Sequence, residues 1–167
     1  MTKNITTKQI AYFGLFAALT YVGTALIHVP LPNGGYIHVG NIPIIIAACL
    51  FGWKFGAGVG AIGSTLADAL VPLYAPYAPF TFVIKLLMGA LVGVAVRKKG
   101  IISYILYALA GLVVVGGYYA AEVLFSGNWL TPFMYSIPYT IEYVGSLVIG
   151  LIVSKRLAKH LHDKRMK

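Results

Sequence analysis

Acidic residues are nearly missing from this chain. Four occur among 167 residues, against 13 Lys and Arg, and only 10% of positions are charged. A soluble domain carries about a quarter charged residues, so a water-exposed surface is not what this composition builds. A single cysteine, Cys49, excludes a disulfide framework and a thiol metal cluster. Glycine-rich phosphate loops, GxSxG and HExxH patterns are also absent, so neither nucleotide hydrolysis nor a familiar catalytic centre is encoded, and no cofactor is called for. His28 and His38 stand ten residues apart, which is no metal signature.

What remains is apolar. Hydrophobic residues make up 59% of the chain and the mean hydropathy is +0.84. With roughly 20 apolar residues per membrane span, the length allows about six helices joined by short loops. The expectation is an all-α integral membrane protein, one six-helix domain over residues 1–167, with helices near 9–29, 41–53, 56–74, 80–97, 101–125 and 132–154. The first apolar segment exceeds a signal-peptide core and has no small-residue cleavage site, so it reads as a retained helix.

The basic residues give orientation. Lys3 and Lys8 precede the first helix and Lys54 lies between the second and third. Arg97, Lys98 and Lys99 join the fourth to the fifth, and Lys155, Arg156, Lys159, Lys164, Arg165 and Lys167 follow the sixth. These are twelve of the 13, all on one side, and the positive-inside rule then puts both termini in the cytoplasm. Only Lys85 falls inside a span. The basic tail is explained as an anchor beside anionic lipid.

The second helix is too short. From Asn41 to Trp53 it covers about 20 Å of a hydrocarbon core near 30 Å. Asn41 is placed to cap it and Pro43 falls in its first turn, so its start opens in the outer half of the membrane beneath the loop Pro30–Gly40. Irregular backbone at that depth must be covered by protein or line a wet cavity. In the third helix Gly56, Gly60, Gly63 and Ala67 form a small-residue stripe for close helix contact. Gly14 and Ala18 form another in the first, serving either internal packing or the grip of another subunit.

Polar residues gather at the outer end. Asp68 and Lys85 lie on antiparallel neighbours, each about 9 Å below the outer surface by helical rise, and an ion pair between them is expected. Glu122 follows Tyr118 and precedes Ser126 by one turn each, and Glu142 shares a face with Tyr135, Tyr139 and Ser146. Every intramembrane acid therefore converges on one level, joined by His28, His38, Tyr36, Asn33, Asn41 and Asn128. Tyr74, Tyr77 and Trp129 add aromatic surface at the same level, either as part of the cluster or, the favoured reading, as the interfacial aromatic belt.

Intramembrane ionisable groups mark function by default. The candidate substrate contacts are Lys85 and Glu142 first, then Glu122, Tyr139, Asn41, His38, Tyr36, Tyr135 and Tyr118, with Asp68 holding Lys85 in place. Carboxylates, one ammonium and several tyrosines suit a compact neutral or weakly charged heterocycle. Without arginine there is no bidentate grip for a polyanion.

The run YIHVGNIPIIIAACLFGWKFGAGVGAIGSTLADAL, followed by YAPFTFVIKLLMGALVG, resembles the S components of energy-coupling factor (ECF) vitamin transporters. The HxGxIP start, the glycine-rich third helix and the APFTFxIKxxMG segment occur together and in order. The resemblance implies a multi-pass protein of the prokaryotic plasma membrane that captures a vitamin outside, under a lid formed by the loop after helix one. It also implies partners: a transmembrane coupling subunit with two cytoplasmic ATPases, onto which such subunits dock and topple to release cargo. Family docking uses an AxxxA stripe on the first helix, which falls here on Gly14, Ala17 and Ala18 as a GxxxA variant. Vitamin B6 or hydroxymethylpyrimidine is the favoured cargo, with riboflavin and pantothenate as the other implied ones. No inverted repeat of the kind self-sufficient carriers show is visible, so energy comes from elsewhere. A proton-coupled carrier using the acids as a relay, and a membrane enzyme using Glu122, Glu142 and the histidines as acid and base, are the two competing readings.

Overall fold

The computed structural model describes residues 6–32 and 35–165. Asn33, Lys3 and Lys167, invoked above, lie outside the described residues. In order along the chain come α1 (Thr7–Ala25), β1 (His28–Pro30), β2 (Tyr36–His38), α2 (Asn41–Phe51), α3 (Trp53–Ala69), a 3₁₀ turn (Ala75–Tyr77), α4 (Ala78–Ala95), α5 (Ile101–Ser126) and α6 (Leu130–Arg165). Among the described residues three segments, Ala75–Ala95, Ile101–Ser126 and Pro132–Lys159, are long and apolar enough to cross a membrane, and Asn41–Phe51 is a shorter apolar helix. Leu112, Leu124 and Ile141 point outward from α5 and α6, as side chains facing lipid do.

Helix ends differ from expectation where proline intervenes. The first helix stops at Ala25, because Val29 precedes Pro30 and is driven to extended backbone. His28–Pro30 then pairs antiparallel with Tyr36–His38 in a hairpin, so part of the expected irregular lid loop is strand-paired backbone. The third helix ends at Ala69, three residues before Pro72, rather than at Tyr74. The sixth runs on through Pro138 to Arg165, and the expected basic tail is its last turns. Asn41 is not a cap. Gly40 holds that position without a side-chain bond, and Asn41 is the first helical residue.

α2 is the hub. Ile44, Ile45, Ala47 and Ala48 are fully buried, and the helix touches α1, α3, α4 and α6. A helix apolar on all sides belongs in the interior, and this one explains its short length by not needing to face lipid. The most extensive contact joins α3 to α4. There a Cβ on Gly60 would stand 2.7 Å from the carbonyl oxygen of Lys85, and one on Gly89 would overlap the Gly56 carbonyl. The α3 stripe thus does what its spacing predicts, and it fixes the backbone that carries Lys85. The same stripe continues to α1, where a Cβ on Gly63 would meet the Ala17 carbonyl at 2.7 Å.

Gly14 and Ala18 take no part in this packing. Both are exposed, and nothing lies within 4 Å of where a Gly14 Cβ would stand. Ala17, half-buried, instead faces α3.

Candidate ligand-binding site

The hairpin, the 3₁₀ turn and α3, α5 and α6 enclose a small cavity of about 30 Å³. Its lining is Gly35, Tyr36, His38, Asp68, Tyr74, Tyr77, Tyr118, Glu122, Tyr139 and Glu142. Seven of the ten sequence-proposed contacts are therefore brought together. Lys85, Asn41 and Tyr135 are not among the lining residues.

Each carboxylate is held by a donor from another element. Asp68, near the end of α3, accepts from the Tyr36 hydroxyl on the hairpin and from Thr81 Oγ1 on α4, the latter at 2.5 Å. Thr81 also lies 3.2 Å from the Tyr118 hydroxyl. Glu122 on α5 accepts from the Tyr139 hydroxyl at 2.6 Å, and Glu142 accepts from Asn41 Nδ2 at 2.6 Å. Charge-assisted bonds of this kind are the strong ones, and in low dielectric they set side-chain direction.

The expected Asp68–Lys85 ion pair is replaced. Lys85 Nζ donates to Asn41 Oδ1 at 2.7 Å and sits 5.2 Å from the centre of the Tyr118 ring. Asp68 is turned instead toward Tyr36 and Thr81, because the hairpin delivers a hydroxyl that sequence spacing did not reveal. Burial of the two charges on neighbouring helices was read correctly; their partners were not.

His38 borders Glu142 with Nδ1 at 3.6 Å from Oε1. That nitrogen already accepts the Gly40 N–H at 3.0 Å. Burial first, and the nearby Lys85 ammonium second, hold the imidazole well below its ordinary pKa, so it is neutral and the contact is not an ion pair.

Aromatic rings supply the remaining walls. Tyr36 and Tyr74 pack with centroids 4.3 Å apart, and Tyr118 and Tyr139 with centroids 5.8 Å apart. Two readings stand open for Tyr74 and Tyr77, cluster or interfacial belt, and the cavity lining includes both residues. Their position after Pro72 and around Pro76 hides this, since the 3₁₀ turn redirects them. Trp129, 70% exposed, stands as a belt residue should.

Fold and composition together define a helical protein built for the membrane, with a small cavity of tyrosines and carboxylates beneath a β-hairpin. The chain belongs to the family of ECF-type riboflavin transporter S components, whose model matches residues 4–159. A protein of Pyrococcus woesei, described as an uncharacterized protein in the gap 3′ region, is 37% identical over 147 residues, covering 81% of this chain and 95% of that protein. Members of the family are transporter subunits that bind vitamins, not enzymes.

Proposed function

We propose that this chain is the capture subunit of an ATP-driven vitamin importer, and that its cargo is a one-ring nitrogen heterocycle bearing hydroxyl or amino groups. One observation carries the reading. Three carboxylates and five tyrosines face a single chamber, while Lys85, the one intramembrane cation of the sequence, is set aside beneath it. Such a chamber rewards ligands that present hydrogen-bond donors or a positive ring nitrogen and a flat face for stacking. It repels a ligand carboxylate or phosphate, which disfavours pantothenate and phosphorylated vitamins.

The family description names riboflavin. The cavity of about 30 Å³ is room for little more than a water, so it must widen for any cargo, and a single ring such as vitamin B6 or hydroxymethylpyrimidine asks for less widening than riboflavin. Residues 1–167 form one membrane domain of six crossings in the prokaryotic plasma membrane. The hairpin faces outside and both termini face the cytoplasm. Energy comes from a transmembrane coupling subunit and two ATPases, docked on α1 at the outward-facing Gly14 and Ala18.

Calorimetry on the detergent-purified chain tests the cargo. Pyridoxine or hydroxymethylpyrimidine binds more tightly than riboflavin, and Glu142→Ala weakens that binding about 10- to 100-fold. Tightest binding of pantothenate would overturn the chemistry proposed for the chamber. Vesicles holding the chain alone bind without transporting, whereas pH-dependent uptake there would establish a self-contained carrier.

A further inference from the structure

We infer that Lys85 is a positioning residue, acting through Asn41 on the Glu142 carboxylate. The inference rests on reading the chamber as the ligand site. Lys85 and Asn41 are fully buried and neither is among the residues that line the chamber. They form instead a three-residue relay across three helices: Lys85 Nζ on α4 to Asn41 Oδ1 on α2 at 2.7 Å, and Asn41 Nδ2 to Glu142 Oε1 on α6 at 2.6 Å.

The chemistry of the middle residue fixes the direction. An ammonium only donates and a carboxylate only accepts, so the group between them must accept on one side and donate on the other. An amide does both, and here it has one orientation that satisfies both neighbours. Aspartate at position 41 would set two carboxylates against each other, and leucine would leave a buried ammonium and a buried carboxylate without their bonds. Glu142 is thus pinned from beneath at Oε1 while it lines the chamber.

The anchor of this relay is rigid. Gly60 packs against the Lys85 carbonyl so closely that an added Cβ would stand 2.7 Å away. The same ammonium lies 5.2 Å from the centre of the Tyr118 ring, so it also steadies one aromatic wall through a cation–π contact. Lys85 therefore orders two lining groups, a carboxylate and a ring, from outside the chamber.

A double-mutant cycle tests this with Lys85→Met, Glu142→Gln and the two combined. The probe is whichever of pyridoxine, hydroxymethylpyrimidine and riboflavin the wild-type chain binds most tightly in calorimetry. Each single change weakens binding about tenfold or more, and the double is no weaker than the weaker single, because both cut one relay. Losses that multiply independently would overturn the inference, as would full affinity in Lys85→Met. Thermal melts of the same four proteins supply a readout without ligand: each single variant melts lower, and the double recovers part of the loss. Additive lowering would overturn the relay. If Lys85→Met does not yield monodisperse protein, Asn41→Leu takes its place in the cycle. Should the wild type bind none of the three probes, the proposed cargo class fails, and the melting cycle alone decides the relay.

Discussion

α1 and α3 both carry small residues at helical spacing, and they use them oppositely. On α3, Gly56 lies between α2 and α4, Gly60 against α4 and Gly63 against α1, each so tight that a methyl group has no room. On α1, Gly14 and Ala18 face outward with open space above Gly14, while Ala17, one position round, turns to α3. A small-residue stripe in lipid permits a neighbour to approach, and no more. Whether one does depends on which faces the rest of the bundle leaves uncovered. On α3 the neighbour is internal; on α1 the stripe is left uncovered by the rest of the chain.

The sharpest way to break this contrast is Gly89→Leu, at the closest point between α3 and α4. Four added carbons have nowhere to go against the Gly56 carbonyl, and a loss of about 3 kcal/mol or more is expected. A thermal melt within a degree of wild type would show that the two helices are not held by this contact. Gly40→Ala is next. Its methyl would strike Thr24 Oγ1 and stand 3.0 Å from the Thr20 carbonyl, at the joint between the hairpin and α2. It lowers stability by about 1–3 kcal/mol and weakens binding by disturbing the lid, measurable by melting and calorimetry on one sample. The smallest effect on stability belongs to Gly14→Leu with Ala18→Leu, within about 1 kcal/mol since nothing is displaced. Binding is spared, and uptake by vesicles holding the complete importer stops. Normal uptake would remove this face from the docking surface.

Some of the molecule was legible because its causes are local or periodic. Six apolar segments, the stop before Pro72 apart, follow from runs of hydrophobic residues, and the convergence of Asp68, Glu122 and Glu142 follows from counting turns from the helix ends. Partner choice was not legible. The hairpin joins His28–Pro30 to Tyr36–His38 across LPNGG, whose Asn-Gly signals a turn, but nothing in the sequence says that the turn brings the Tyr36 hydroxyl to Asp68. That freed Lys85 to bond Asn41, which position alone suggested as a cap. Two prolines and a 3₁₀ turn re-aimed Tyr74 and Tyr77 from the surface into the chamber.

From its sequence alone, this protein was committed to lipid, to helices, and to a charged layer at one level of the bundle, because hydrophobic burial and helical rise act along the chain and need no knowledge of neighbours. Which donor meets which carboxylate was decided only by the tertiary structure. A buried charge accepts any donor that arrives with good geometry, and only the three-dimensional path of the hairpin and of α2 determined which ones arrived.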